Sequence, residues 1–242
     1  GDRDGHDKVT AKVTRETLAS HRASALERHL QDLGQLSNIP SLSRRFVNGR
    51  TGLAWQETLA PLLDDATTKF SIPHERALHL RNEPFRLAIE MIEEKIRHSA
   101  TLKEKIADPD RFFYSSQDYI ADLERLRQAL VEAGFSEVAT LKEIEDLLIQ
   151  ARTFGFTTYS LDIRQHSDVH ESAVDNLLRV ANLEGDYKSL DNAERIALLS
   201  RILSDPQEIP FLGVGDLTPK TIQILGVLEI MRNTMALEPD AM

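Results

Sequence analysis

One segment of the sequence alternates with period two, whereas nearly all the rest repeats its apolar residues every three or four positions. After Gly155, the side chains at 157, 159, 161 and 163 share one face of an extended chain, and those at 156, 158, 160, 162 and 164 share the other. The second face becomes charged at Asp162 and Arg164. We therefore predict a strand over 156–164, with Gly155 ending the preceding helix in a left-handed conformation.

The three- and four-residue periodicity elsewhere predicts a mainly α chain of about nine helices. Pro84 suits a first helical position, and Ser115 with Asp118 forms a capping arrangement. The predicted helical segments are Thr10–Ser37, Gly52–Lys69, an ambiguous stretch within Ile72–Arg81, Pro84–His98, Ser115–Gly134, Ser136–Gly155, a helix capped by Ser167 or Asp168, a helix capped by Asp191 or Asn192 that runs through Ile196, Leu199 and Leu203, and a helix from Thr218-Pro219 with Ile222, Leu225, Leu228 and Met231 as its apolar stripe.

Composition narrows the class of protein. The 242 residues carry a net charge of −10, which argues against nucleic acid or an anionic membrane as the main partner. The chain has no cysteine, which excludes disulfides, thiolate metal sites and a cysteine nucleophile. No apolar run approaches the roughly 18 residues that a membrane span requires. We therefore expect a cytoplasmic protein.

Two possible metal sites in the sequence are each missing a required feature. The acidic amino-terminal loop resembles a calcium loop, but counting from Asp2 places Asp7 and Val13 where an EF-hand needs glycine and glutamate. His166 and His170 have a spacing that can bind zinc on a helix, but no third ligand is evident. We predict no metal ligands in this chain.

The charged end of the predicted strand is the strongest candidate for chemistry. An arginine at the carboxyl end of a strand presents a rigid fork of donors to phosphate or carboxylate, and Arg164 stands at that position. Asp162 can hold the fork in place, and Gln165 adjoins it. The alternative is a half-buried strand whose charged end is merely solvated. No Walker loop, dinucleotide fingerprint or nucleophile elbow is present.

Two motifs resemble those of the phosphoenolpyruvate carboxylase family. The opening Gly1-Asp2-Arg3-Asp4-Gly5, followed by Val9-Thr10, resembles that family's G-G-D-R-D-G-N-P-x-V-T motif without its first glycine. The stretch Phe154-Gly155 with Leu161-Asp162-Ile163-Arg164-Gln165, Ser167 and His170 resembles its F-G-(x)n-L-D-I-R-Q-x-S-x-x-H motif. The order and separation of the motifs also fit. His6, Asp7 and His166 depart from the family pattern.

The resemblance implies a lyase of carbon dioxide fixation that carboxylates phosphoenolpyruvate with bicarbonate. The products are oxaloacetate, which feeds the tricarboxylic acid cycle, and phosphate. The family uses Mg²⁺ or Mn²⁺, is usually a homotetramer, and has a helix-rich α/β-barrel fold. On this resemblance Arg164 binds the substrate phosphate. The resemblance also makes Asp2, Arg3, Asp4, Asp162 and Gln165 candidate residues of the active-site loop or its surroundings.

The resemblance also implies that 1–242 is a single helical fragment of such an enzyme, with one or two short strands. Residues 1–9 would be a truncated glycine-rich loop and 156–164 a barrel strand. The catalytic histidine, the lysine and the metal ligands of the family are expected outside the chain. We therefore expect no catalytic residue, no bound metal and no activity in the chain alone. Two alternatives remain, which are a non-catalytic helical interaction module that retains the phosphate-site arginine and an unrelated anion-binding helical domain.

Overall fold

The fold of the described residues is built almost entirely from helices. The computed structural model describes residues 3, 8–37, 47, 52–68, 75, 79–101, 114–205 and 216–238. Within this part of the chain the elements are α1 (Ala11–Leu36), α2 (Ala54–Thr68), α3 (Pro84–Thr101), α4 (Ser116–Glu132), α5 (Ser136–Ala139), α6 (Lys142–Phe154), α7 (Ser167–Val180), a 3₁₀ turn (Tyr187–Ser189), α8 (Asn192–Ser204) and α9 (Pro219–Leu237). The prediction of a helix-rich chain is confirmed.

Helix ends agree closely with the predicted signals, with two exceptions. Ser115 forms a full capping box with Asp118, and Asp191 forms another with Glu194. The helix predicted over Ser136–Gly155 is instead two helices, α5 and α6, because the chain turns at 140 and 141. The stretch Asp108-Pro109-Asp110 and most of Ile72–Arg81 lie outside the described residues.

The second exception concerns the start of α7. We predicted Ser167 or Asp168 as its cap, but the N-cap is His166, whose Nδ1 accepts a hydrogen bond of 3.2 Å from the backbone N–H of Asp168. A neutral imidazole nitrogen is an acceptor like the oxygens that usually cap helices, so it satisfies one of the unpaired amides of the first turn. His166 is thereby accounted for as a structural residue.

The chain divides into two compact units, each with its own packing. One unit comprises Gly1–Thr17, Leu161–Ala236 and Met242, and we call it the motif unit. The other comprises Leu18–Ser160 and Leu237–Ala241, and we call it the bundle unit. None of the described helices is both long and apolar enough to cross a membrane.

The bundle unit has a large hydrophobic core. Its apolar residues come from α1, α2, α3, α4 and α6 at the predicted helical spacings, because each helix turns one stripe inward. The aromatic rings of Trp55 and Phe85 lie 5.5 Å apart within it. Burying one large apolar side chain stabilises the folded state by about 1.5–3 kcal/mol relative to leaving that side chain exposed to water. Among its members are Leu33, Trp55, Leu59, Ile92, Leu126 and Leu148.

A buried ion pair joins α3 to α4 inside the bundle unit. The Nζ of Lys95 lies 2.9 Å from Oδ2 of Asp122, and the two side chains are only 3% and 5% exposed. Tyr114 donates its hydroxyl to the same oxygen at 2.9 Å, and Arg125 reaches Oδ1 at 2.8 Å. Burial, together with the neighbouring Asp122, raises the pKa of Tyr114 well above its usual value. Both carboxylate oxygens are therefore satisfied.

The motif unit has a smaller core, and its helices turn faces inward that differ from those we predicted. Leu178, Tyr187 and Ile202 are buried together. On α8, by contrast, Ile196 is 67% and Leu203 is 75% exposed. Leu199 is partly buried against this core. The three apolar residues predicted for α8 therefore mark its packed face at only one position, because that helix carries apolar residues around much of its circumference and the spacing fits more than one face.

The carboxyl-terminal helix α9 shows the same ambiguity. Its buried apolar residues are Ile224, Val227 and Ile230, whereas the predicted Ile222 and Leu228 are exposed. Both sets have helical spacing, since α9 is apolar on more than one side. The sequence pattern identifies the helix but does not select the face that packs.

The predicted strand over 156–164 is wrong for this structure. Within these residues only Arg164 makes an isolated β-bridge, and the rest is turn, bend or extended chain. The predicted faces also fail at the start of the segment, where Phe156 is fully buried and Tyr159 is exposed. Alternation holds only over 161–164, where Leu161 and Ile163 are half-buried between exposed charged residues.

The physical reason is the need of a strand for a partner. Extended backbone forms a strand only where a neighbouring chain pairs with its amides and carbonyls. Among the described residues, Arg3 supplies one such bond to the carbonyl of Arg164. One bond produces a bridge and not a ladder.

Gly155 ends α6 with a positive φ of 54°, as predicted, but its ψ of −134° differs from the left-handed helical conformation that we expected. Its amide hydrogen-bonds to the carbonyl of Ala151 at 2.9 Å. A Cβ at this position would lie 3.2 Å from both Cβ and Oγ of Ser116 on α4. Both the backbone conformation and the contact with α4 therefore favour glycine.

Replacing this glycine tests both constraints. We expect Gly155→Ala to lower the free energy of unfolding by about 1–3 kcal/mol, because alanine is strained at positive φ and its methyl group meets Ser116. The matched control is Gly34→Ala in α1, where nothing lies within 4 Å of the added Cβ. Urea unfolding of both variants measures the difference. Equal stabilities would contradict the strained conformation.

The buried ion pair offers a second test. We expect Asp122→Ala to lower the free energy of unfolding by about 3–5 kcal/mol, because it leaves the charge of Lys95 buried without its partner. The control is Asp146→Ala, which removes an exposed pair with Lys142 at 3.9 Å and should cost at most about 1 kcal/mol. Urea unfolding again gives both values. A similar small loss in the two variants would show that Asp122 is not needed for the bundle unit.

Candidate functional site

An exposed arginine–aspartate pair forms the centre of the candidate site. The Nε of Arg164 donates to Oδ2 of Asp162 at 2.7 Å, and the side chains are 69% and 68% exposed. The two residues are neighbours on the same side of the extended chain, as the alternation predicted. The bond orients the guanidinium while leaving much of it accessible to solutes.

The two sequence motifs meet in the motif unit. The backbone amide of Arg3 donates to the carbonyl of Arg164 at 3.0 Å, although 161 positions separate the two residues. This hydrogen bond places Arg3 directly beside the segment that carries the candidate anion-binding arginine. The structure therefore brings together two of the residues that the resemblance singled out.

Arg3 itself differs from Arg164 in being buried. Its Nε donates to the carbonyl of Val9 at 2.8 Å, so the side chain turns back on its own loop. Burial lowers the pKa of the Arg3 guanidinium, since desolvation disfavours the charged form. The first role of this side chain is therefore a hydrogen bond to the backbone of residue 9.

Gln165 lies next to Arg164 but is engaged locally. Its Oε1 accepts a hydrogen bond of 3.1 Å from the backbone amide of His166. This contact shapes the turn into α7. The glutamine is therefore placed as a residue of the loop, and the structure shows no hydrogen bond from it to the guanidinium of Arg164 among the described contacts.

The remaining candidates separate into two groups. Asp2 and Asp4 lie outside the described residues. His166 uses its Nδ1 to cap α7, and His170 is exposed on that helix. No group of three or more histidine, aspartate or glutamate residues in the described part of the chain could hold a metal ion.

Sequence reasoning missed the structural partner of Arg3. The carbonyl of Val9 accepts from its guanidinium, yet a backbone acceptor leaves no mark on the identity of the side chain. The cap at His166 was also missed, because histidine is not among the residues usually expected at an N-cap. The only signal in the sequence was that Arg3 and His166 lie within the two motifs.

Chemically, the arrangement can receive an anion. An accessible guanidinium donates charge-assisted hydrogen bonds to phosphate or carboxylate oxygens. The backbone amide of Arg3 donates to the carbonyl of Arg164, and the carboxylate of Asp162 orients the guanidinium of Arg164.

Comparison with known proteins identifies the family. The family model described as phosphoenolpyruvate carboxylase matches residues 1–239, which is nearly the whole chain. The chain belongs to the phosphoenolpyruvate carboxylase family. The resemblance noted in the sequence is thereby confirmed.

Individual phosphoenolpyruvate carboxylases show the extent of the match. The protein of that name from Rhodothermus marinus is 35% identical over 241 residues, covering 98% of this chain and 25% of the relative. That from Azorhizobium caulinodans is 32% identical over 237 residues, covering 93% and 24%. That from Roseiflexus castenholzii is 29% identical over 252 residues, covering 100% and 26%.

The chain thus spans about a quarter of the length of these phosphoenolpyruvate carboxylases. This coverage confirms the prediction that the chain corresponds to part of such an enzyme. It also means that the activity of a whole carboxylase does not transfer to the 242 residues by similarity alone.

Proposed function

We propose that this chain supplies part of the active site of a phosphoenolpyruvate carboxylase. That enzyme joins bicarbonate to phosphoenolpyruvate and releases oxaloacetate and phosphate. Family membership over residues 1–239 is the main support. The single structural observation in favour is the contact between the two motifs, in which the amide of Arg3 meets the carbonyl of Arg164.

In this proposal Arg164 binds the phosphate group of the substrate. Its planar fork matches phosphate oxygens, and its exposure leaves room for the ligand. Asp162 orients the fork through the bond to Nε. Negative charge that develops during carboxylation is stabilised by fixed positive groups of this kind.

The loop at the start of the chain has a supporting role. The guanidinium of Arg3 donates to the carbonyl of Val9, and the amide of Arg3 donates to the carbonyl of Arg164. Asp2, Asp4 and Gln165 are proposed as neighbours of the site and not as groups that contact the substrate.

The family implies a divalent metal, Mg²⁺ or Mn²⁺, which would stabilise negative charge when bound. The described residues do not fit such an ion, since no cluster of three suitable ligands occurs among them. We therefore assign no step of the reaction in this chain to a metal.

The cellular setting of the proposed enzyme follows the same reasoning. We propose a cytoplasmic homotetramer that acts on small molecules and not on nucleic acid. The net charge of −10 supports this choice of substrates, because a polyanion would be repelled.

Substituting the arginine tests the binding role. We expect Arg164→Ala to weaken binding of phosphoenolpyruvate and of inorganic phosphate by about 10- to 100-fold, because charge-assisted hydrogen bonds are lost. Arg164→Lys should bind with an affinity between those of Arg164→Ala and the unsubstituted chain, since lysine keeps the charge but not the planar guanidinium. NMR titration of the 242-residue chain with each ligand gives the affinities.

The control for this titration is Arg179→Ala. Arg179 is an exposed arginine of α7 that pairs with Asp175 at 3.5 Å and lies outside the site. An equal loss in this control would indicate a general charge effect. Unchanged affinity in Arg164→Ala would refute the assigned role and favour a helical interaction module that merely retains the motif.

A turnover assay tests whether the chain alone is catalytically active. We expect the 242-residue chain to form no oxaloacetate from phosphoenolpyruvate, bicarbonate and Mg²⁺, because it spans about a quarter of its relatives and the family's catalytic histidine, lysine and metal ligands are expected outside it. Coupling to malate dehydrogenase measures the product, and the Rhodothermus marinus carboxylase serves as the positive control. Sustained turnover by the chain alone would sink this part of the proposal.

A further inference from the structure

Helix α8 of the motif unit has two apolar faces, and only one of them is packed. Leu198, Leu199 and Ile202 lie on its inner face, against the small core of that unit. The opposite side carries Ile196, which is 67% exposed, and Leu203, which is 75% exposed. No other large hydrophobic residue in the described part of the chain is as exposed as these two.

The outer side of α8 forms one continuous surface. Successive residues of an α-helix are rotated by about 100° around its axis, so Ile196 and Leu203, seven positions apart, lie nearly in line along the helix. Six exposed residues share an arc of about 120° and a length of about 16 Å. We call them the outer α8 face, and they are Ala193, Ile196, Ala197, Ser200, Leu203 and Ser204.

The outer α8 face contains no charged residue. The charged side chains of α8 are Glu194, Arg195 and Arg201, and all three lie elsewhere on the helix. Glu194 accepts a hydrogen bond from the backbone amide of Asp191 in the capping box. Arg195 pairs with Glu171 of α7 at 2.8 Å. Two of the three charges therefore serve the start of the helix and its packing on α7.

The neighbouring helices of the motif unit differ from α8 in this respect. α7 exposes Asp168 and Arg179, and α9 exposes Glu229 and Arg232 among its apolar residues. A helix side that faces water is normally polar, whereas a helix that is apolar on several sides is typical of the interior of a larger protein. Single exposed apolar residues are ordinary, but a contiguous apolar face marks an interaction surface.

The coverage of the relatives indicates what packs on this face. The chain matches 25%, 24% and 26% of the three phosphoenolpyruvate carboxylases compared above. About three quarters of each of those enzymes therefore has no counterpart in these 242 residues. Permanent interfaces are more apolar than transient ones, and charges mainly steer the encounter of separate molecules. An uncharged face suits a partner that belongs to the same enzyme.

We propose that the outer α8 face is an interface with the remainder of a phosphoenolpyruvate carboxylase, namely polypeptide outside these 242 residues. The surface that meets it is apolar and uncharged, because a charge buried against Ile196 and Leu203 would lose its hydration without gaining a partner. The inference rests on the proposal that the chain is part of such an enzyme, and it is independent of the anion-binding role of Arg164.

The absence of cysteine from the chain permits a site-specific test. Ile196→Cys and Leu203→Cys each introduce one thiol, whose rate of reaction with N-ethylmaleimide depends on its exposure. The rates are compared between the 242-residue chain and the complete carboxylase polypeptide that carries this sequence. Peptide mass spectrometry identifies the labelled site, and the rates in urea correct for intrinsic reactivity.

We expect both thiols to react at least about 100-fold more slowly in the complete carboxylase than in the 242-residue chain, since a covered thiol reacts only when its contact opens. The control is Arg179→Cys on the charged side of α7, which should react at similar rates in the two proteins. Hydrogen exchange of the α8 amides in the unsubstituted proteins gives the same comparison without a substitution, and we expect slower exchange in the complete carboxylase.

Equal labelling and equal exchange in the two proteins would overturn the proposal. Protection already present in the 242-residue chain would overturn it as well. Such protection would show that the chain covers its own face if it is independent of protein concentration, and that a second copy covers the face if it increases with concentration.

The labelling and the phosphate titration separate this inference from the proposed function. Protected thiols in a protein whose Arg164 binds no phosphate would keep the interface and reject the anion-binding role. Phosphate binding that depends on Arg164, together with freely reacting thiols at positions 196 and 203 of the complete carboxylase, would do the reverse.

Discussion

Every backbone carbonyl that leaves a helix needs a donor, and this requirement shapes the segment between α6 and α7. The carbonyl of Phe154 is bonded by Thr157, that of Gly155 by His29, and that of Arg164 by Arg3. Two of these donors come from distant parts of the sequence. The segment turns at its start and is extended towards Arg164 without being a strand, because its partners among the described residues are single groups and not a neighbouring chain.

The sequence was sufficient for most of the helices and for most of their ends, for reasons that are local. Capping boxes at Ser115 and Asp191 and the glycine at 155 are satisfied within a few residues, so their signals survive in the sequence. The faces of α8 and α9 were not predictable. Both helices are apolar around much of their surface, and only their tertiary neighbours decide which side packs.

The same distinction between local signals and tertiary contacts applies to the candidate site. The pairing of Asp162 with Arg164 follows from period two and was predicted. The contact of Arg3 with Arg164 is a backbone bond across 161 positions, which no side-chain pattern encodes. The resemblance placed both residues in motifs of one family, and this was the only route from the sequence to their proximity. The hydrogen bond between His29 and the carbonyl of Gly155 is likewise encoded in no sequence pattern.

Solvent exposure distinguishes Arg164, which is proposed to bind a ligand, from the charged residues that stabilise the fold. The Arg164–Asp162 pair is more than half exposed, so its bond contributes only about 0–1 kcal/mol and an incoming phosphate can compete for the guanidinium. The Lys95–Asp122 pair is almost wholly buried, and separating it would leave an uncompensated charge at a cost of several kcal/mol, about 3–5. A ligand-binding cation has to exchange partners, and a structural one must not. Of these two ion pairs, only Arg164–Asp162 is weak enough for a ligand to replace the carboxylate.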